Sequence, residues 1–166
     1  MPTHNWINSL QLQAHPEGGY YKETYKSAEF IPQGGLPARF PGPRSFSTAI
    51  YFLLQGADFS AFHRLKADEV WHFYAGTTLR IHQISSEGEY EQKDLGILSG
   101  TSVAPQAVVH AGTWFGAEVL DKTSYALVGC TMAPGFDFAD FEMPSRAELL
   151  GLFPKYQEVI LRLTRV

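Results

Sequence analysis

Two side chains capable of chemistry, His63 and Glu69, stand six positions apart in the run Ser60-Ala-Phe-His-Arg-Leu-Lys-Ala-Asp-Glu-Val-Trp-His-Phe-Tyr-Ala-Gly76. An imidazole and a carboxyl among apolar and aromatic neighbours can either join a metal or move a proton beside a carbonyl. A catalytic metal normally takes three or four protein ligands of suitable type. His72 is a possible further ligand, but strand alternation opposes it: if Glu69 faces the interior, so do Trp71 and Phe73, while His72 faces away. The metal-free reading has its own physical content. Apolar walls would raise the pKa of Glu69, and a protonated His beside it would lower it. In that reading His63 is the base and Glu69 its catalytic companion. Candidate ligand contacts are Tyr20, Glu23, Arg44 and Tyr51, with Trp71, Phe73, Trp114 and Phe115 as aromatic lining or core. Glu17 and Glu23 could reach a ligand or an Arg such as Arg44; a turn held by an ion pair explains them equally well.

These residues need rigid elements to aim them. Short apolar and β-branched runs between turn signals predict strands near Ser45–Leu54, Phe59–His63, Glu69–Tyr74, Thr78–Ser85 and Tyr90–Leu95. More are predicted near Ala107–Val109, Trp114–Val119 and Ser124–Met132. Turns fall at Gly56, Gly76, Glu87-Gly88, Ser99-Gly100 and Asp121-Lys122. The spacing indicates a sandwich or barrel, not alternating β and α units.

Before these strands, Asn5 to Leu12 predicts a short helix with Trp6, Ile7 and Leu10 on its buried side. His15-Pro-Glu-Gly-Gly-Tyr20 ends it, because the Pro and the Gly pair cannot continue a helix. Gly19 to Lys26 then reads as a strand and Gln33 to Pro43 as a loop. After the strands, Asp137 and Asp140 among Phe136, Phe138 and Phe141 predict a loop pinned by aromatic packing. Ser145 with Glu148 has the spacing of a capping box, so a helix starts there and stops before Pro154. A second helix over Lys155 to Leu163 puts Val159, Ile160 and Leu163 on one face. Both helices are expected on the outside of the β structure.

At 166 residues the chain predicts a single domain with a substantial core. Apolar residues make up 45% and charged residues 18%, the balance of a globular protein. A net charge of −4 and no run of Lys and Arg argue against nucleic-acid binding. No segment has the apolar length needed to span a bilayer, and the N-terminus lacks the basic and apolar regions of a secretion signal. The lone Cys130 excludes an intrachain disulfide and fits a reducing cytoplasm. It lies in an apolar run that predicts inert packing.

The run around His63 is similar to the first motif of the cupin superfamily, a jelly-roll β-barrel. In that motif a second His would stand at Leu65, and Gly56 lies one residue too far from His63. Three residues then separate Leu65 from Glu69, and six separate Glu69 from Gly76, as the motif has them. The second motif would fall on Ala104, His110, Gly112, Phe115 and Val119, of which only Gly112 conforms. Phe115 takes the place of the last metal histidine. The resemblance extends to one branch, the cupin_5 group (DUF985). It is carried by His15-Pro-Glu-Gly-Gly-Tyr-Tyr-Lys-Glu-Thr-Tyr25, Ser47-Thr-Ala-Ile-Tyr-Phe-Leu-Leu54, Asp68-Glu-Val-Trp-His-Phe-Tyr-Ala-Gly76 and Gly112-Thr-Trp-Phe115. A fifth segment, Tyr125 through Phe141, is quite specific, and His110 departs from the Pro expected there.

The resemblance implies a mainly β cupin barrel of double-stranded β-helix type, similar to the sugar-epimerase barrel, and a homodimer. With two ligand positions apolar, the expected site is metal-free and without cofactor; a metal, if bound, would fall to His63 and Glu69. The expected ligand is a small polar molecule, a sugar or nucleotide-sugar-like compound, with isomerase or epimerase chemistry; likeness to metal-free epimerase cupins, which pair a His base with a Tyr acid, makes Tyr20, Tyr25, Tyr51 and Tyr74 candidate acids. A non-catalytic metabolite sensor or carrier, and a metal-dependent cupin, are the alternatives.

Overall fold

The computed structural model describes residues 4–97, 100 and 102–166. The predicted turn at Ser99-Gly100 lies partly outside them, at Ser99. Helix α1 (His4–Leu10) leads into strands β1 (Gln13–Ala14), β2 (Tyr20–Lys26) and β3 (Phe30–Ile31). A single 3-10 turn, Gln33–Gly35, interrupts the predicted loop. Strands β4 (Arg44–Ser45), β5 (Thr48–Gln55), β6 (Phe59–His63), β7 (Glu69–Gly76), β8 (Leu79–Ile84) and β9 (Tyr90–Leu95) follow. The last strands are β10 (Val103–Ala104), β11 (Gln106–Val109), β12 (Trp114–Val119) and β13 (Tyr125–Met132). Helices α2 (Arg146–Leu152) and α3 (Gln157–Arg162) close the described chain. Ser145 caps α2 with the predicted capping box, its hydroxyl accepting from the Glu148 N–H while Glu148 accepts from the Ser145 N–H.

Two sheets face each other in a jelly roll. One has the order β1-β2-β5-β13-β7-β11 and the other β10-β9-β8-β12-β6, with β3 and β4 as a separate pair. Most chain neighbours do not pair within a sheet: β13 lies between β5 and β7, and β12 between β6 and β8. Such crossing between sheets builds a closed β structure from a chain of short antiparallel strands.

Alternation along each strand decides what goes inside. Phe52, Leu54, Trp71, Phe115, Ala117 and Val128 form the core between the sheets. The opposite faces are covered by helices, as expected. Leu53 and Leu127 pack with Leu12 against Trp6, Ile7 and Leu10 of α1. Phe62, Ile84 and Trp114 pack against Leu149, Val159, Ile160 and Leu163. Among the described residues no helix is long and apolar enough to cross a membrane.

Candidate functional site

A cavity of about 250 Å³ opens between the sheets, and the histidines and buried carboxyls that line it come from three places in the chain. Strand β6 delivers His63 and β7 delivers Glu69. The turn His15-Pro16-Glu17-Gly18 delivers His15 and Glu17. The turn is closed by the Gly18 N–H donating to the His15 carbonyl at 3.0 Å, and it docks on β6 where the Ala61 N–H donates to the Glu17 carbonyl at 2.8 Å. Next to it, the Gly19 N–H donates to Asp58 Oδ2 at 2.8 Å. The turn requires glycine at 18: φ is +113°, and a Cβ there would lie 2.1 Å from the Phe59 carbonyl oxygen. Gly18→Ala is therefore expected to destabilise the protein by about 2–4 kcal/mol and to displace Glu17. Urea denaturation checks this, and a shift under about 0.5 kcal/mol, the range of a neutral surface change, would contradict it.

Both nitrogens of His63 are engaged. Nδ1 lies 2.7 Å from the Ala61 carbonyl, which can only accept, so Nδ1 carries a proton. Nε2 faces Glu17 Oε2 at 3.1 Å, both side chains being almost fully buried. One proton must therefore sit between Nε2 and Oε2, on either partner. The other oxygen of Glu17 accepts from Ser60 Oγ at 2.9 Å. The Glu17 backbone N–H donates to His15 Nδ1 at 3.2 Å. Burial moves the pKa values of this couple in opposite directions: His63 is pushed down to about 4, and Glu17 is pushed up.

Glu69 is the third group. Its Oε2 accepts from Trp71 Nε1 at 2.8 Å. Burial, and then the charge of Glu17, push its pKa up to about 8. The sign of the pH effect follows. In the unfolded chain Glu69 ionises near 4.5, so the folded state binds the extra proton between about pH 4.5 and 8. Its stabilisation is complete below that window and is lost as pH rises through about 8. His63 acts oppositely, adding stability as pH rises from about 4 to 6.5, where the unfolded imidazole loses its proton. Above pH 6.5 only the carboxyl effect remains. The protein is expected to lose about 2 kcal/mol between about pH 6.5 and 8, read as a falling urea midpoint. A flat or rising midpoint over that range would contradict the burial of a protonated Glu69.

The sequence-derived site residues sort into three groups. His63, Glu69, Trp71 and Glu23 line the cavity, with Glu23 at its mouth. Phe73 and Phe115 belong to the core beside it; Phe115 packs on the His63 ring at 4.1 Å between centroids. Tyr20, Tyr51 and Trp114 lie elsewhere. Tyr20 and Tyr51 pack on the outer face with the α1 cluster, and Trp114 packs beneath the C-terminal helices with Arg64 over its ring. Strand alternation explains the shift, since Tyr21 and Glu23 take the inner face of β2 that Tyr20 was expected to take. The other acid candidates, Tyr25 and Tyr74, are 54% and 52% exposed and do not line the cavity. Tyr21 does line it and packs edge-on against His15 at 4.6 Å.

Arg44 does not line the cavity and is half of a buried pair. Its Nε and Nη2 reach Asp140 Oδ2 and Oδ1 at 2.7 and 2.6 Å. The pair anchors the loop whose Phe136, Phe138 and Phe141 wall the cavity. The residue that the sequence left undecided is Glu17. Its signal was the position between a Pro and two Gly, in a segment that also carries His15.

Metal ligation does not fit this donor set. Leu65 lines the cavity where a second histidine would stand, and Phe115 holds the other apolar position. His63 Nε2 is turned to Glu17. Among the described residues no three His, Cys, Asp or Glu side chains converge as a metal ion requires.

A two-sheeted jelly roll with a small cavity between its sheets, served by a histidine from one strand and a carboxyl from the next, defines a cupin. More narrowly, the chain belongs to the family Cupin_5, described as Cupin superfamily (DUF985), whose profile matches residues 4–144. It is 28% identical over 143 residues to an uncharacterised protein of Saccharomyces cerevisiae, covering 81% of this chain and 71% of that one. Among solved structures, protein SO0799 of Shewanella oneidensis superposes with a TM-score of 0.88 at 38% identity, over 99% of this chain and 98% of that one. A hypothetical protein from Leishmania major gives a TM-score of 0.88 at 33% identity, over 99% of both chains. A Bacillus subtilis oxalate decarboxylase variant, at 16% identity and a TM-score of 0.55, shares the fold over 92% of this chain and 37% of its own.

Proposed function

We propose that the cavity binds a small organic molecule and transfers a proton on it, as in isomerisation or epimerisation next to a carbonyl. The observation that carries this reading is the 3.1 Å contact between His63 Nε2 and Glu17 Oε2, inside a cavity that Glu69 also lines. It supplies two proton-handling groups of opposed character in one water-poor space. The roles differ from those expected from the sequence. An imidazole with both nitrogens engaged and a pKa of about 4 is a poor free base. Glu69, with a pKa of about 8 and one oxygen held by Trp71, is a strong base once ionised and is poised near working pH. Glu69 takes the proton from carbon. The His63–Glu17 couple gives its shared proton to the carbonyl oxygen, so that an enol forms. Glu69 then gives its proton to the neighbouring carbon, or to the other face of the same carbon after the enol turns over, while an enol hydroxyl returns the second proton to the couple.

The size favours a compact ligand, because drug-sized molecules take about 300–1,000 Å³. Among the described lining residues there is no Lys or Arg to hold a diphosphate, so a nucleotide would have to lie outside the cavity. The test is proton NMR in deuterium oxide with dihydroxyacetone, aminoacetone and D-fructose as probes. Protein-dependent incorporation of deuterium next to the carbonyl supports the reading. Ligands that bind but never exchange would replace it with a carrier or sensor.

A further inference from the structure

The charge of the ligand is written in the lining of the same cavity. Glu17, Glu23 and Glu69 line it, and among the described residues no Lys or Arg does. Arg44 is occupied by its two bonds to Asp140. Glu69 is only 8% exposed, yet its hydrogen bonding is half complete: Oε2 accepts from Trp71, while no described residue donates to Oε1. A buried carboxyl with one open oxygen lacks a hydrogen-bond partner there, whereas buried polar atoms are as a rule bonded.

The walls provide an independent indication. Phe52, Trp71, Phe136, Phe138 and Phe141 all line the cavity. They are set largely edge to face, Phe52 to Trp71 at 5.8 Å and 80°, and Phe136 to Phe138 at 4.9 Å and 82°. In such packing the edge of one ring meets the face of the next, and a cation entering among these rings is attracted where it meets a ring face. Carboxyl groups and aromatic faces both repel phosphate and carboxylate ligands.

We propose that the cavity selects a small organic cation, an amine or quaternary ammonium, whose nitrogen sits against Glu69 Oε1 and the surrounding aromatic rings. This rests on the proton-transfer reading of the site and names its substrate class. The two fit together chemically: an ammonium beside a carbonyl acidifies the intervening C–H and keeps Glu69 in the form that accepts a proton.

The experiment is calorimetric titration of the full chain, at one fixed pH near neutrality, with charged and neutral ligands of the same shape. The pairs are choline with 3,3-dimethylbutan-1-ol, and butylamine with butan-1-ol. Each cation is expected to bind at least about tenfold tighter than its neutral partner, the range of a cation held by aromatic rings away from water. Glu69→Gln is expected to abolish that preference, bringing each cation to the affinity of its neutral partner. Phe138→Ala, at a half-exposed rim position, should weaken choline severalfold without affecting folding. Equal affinities within each pair, no binding of either cation, or preference for acetate would overturn the proposal. Deuterium exchange is scored separately on dihydroxyacetone and aminoacetone. Exchange on dihydroxyacetone with no cation preference removes the amine class and leaves proton transfer standing. Cation preference with no exchange on either probe keeps the amine class and removes proton transfer.

Discussion

Replacing Glu69 by Gln should lower solvent-proton exchange on a bound ligand by about 10²–10⁴, the usual contribution of a positioned acid or base, and should make the protein more stable at alkaline pH. The two effects have one origin. A glutamine can keep the acceptor for Trp71 Nε1, which now bonds Glu69 Oε2 at 2.8 Å, but it cannot take a proton from carbon. Nor can it ionise, so the loss of stability expected as wild type approaches pH 8 should vanish in the variant. Activity in the wild type should rise with pH through about 8 while stability falls over the same range, since the ionised form that works is the form that burial penalises. Glu17→Gln tests the other partner. It preserves a donor to His63 Nε2 and an acceptor for Ser60, so the cavity should persist while the shared proton is fixed in place. His63→Gln should match Glu17→Gln, and the double variant should lose little more than either alone, because groups acting as a unit are not additive. Unchanged exchange in Glu69→Gln, measured by deuterium incorporation with aminoacetone, would end the assignment of the base.

The largest effect on folding is expected from Asp140→Ala. Arg44 and Asp140 are both 4% exposed and joined by two short bonds, so removing the carboxylate strands a guanidinium in the interior. Breaking such a pair costs about 3–5 kcal/mol, several times the typical effect of a point substitution. The loop carrying Phe136, Phe138 and Phe141 should come free with it. The loop's other ties lie at its two ends: the Phe136 N–H donates to Thr48 Oγ1 at 2.9 Å and the Gly135 N–H to the Ser45 carbonyl at 2.8 Å, while after Phe141 the backbones of Glu142 and Arg64 exchange bonds of 3.1 and 2.9 Å. Ligand binding should therefore fall even under conditions where the fold persists. The paired change Arg44→Met with Asp140→Leu should recover most of the stability, because it removes both charges together. A urea midpoint for Asp140→Ala that corresponds to a loss under about 1 kcal/mol would show that Arg44 finds water or another partner.

The two polar couples also separate what a sequence can and cannot show. Hydrophobic alternation is local, so β6, β9 and β12 were legible to the residue, and the capping box at Ser145 set the start of α2. Alternation from Glu69 likewise placed Trp71 inside and turned His72 outward, where its Nε2 meets Thr131 Oγ1 at 2.9 Å. The conforming half of the motif around His63 and Glu69, with Leu65 and Phe115 at the remaining positions, already argued against a full metal-ligand set. On β2 the same rule was available but the phase was not. Only the pairing of that strand with β5, Tyr21 opposite Phe52, settles that Tyr21 and Glu23 face the cavity and Tyr20 does not. Long-range partners lay further out of reach. Glu17 and Ser60 are 43 positions apart, and Arg44 and Asp140 are 96 apart. A turn after a short helix and a loop after the last strand gain their meaning only when the jelly-roll crossings bring them to one end of the barrel. The sequence by itself determined most of the longer strands, the inward face of β7, the family of the fold and two of the three residues to which the proposed proton transfer is assigned, because these follow from local periodicity and motif spacing. The tertiary structure alone decided that His63 is bonded on both nitrogens, that Glu17 stands against it and that no described Lys or Arg lines the cavity, because a side chain's charge state and partners are set by the burial and neighbours that folding provides.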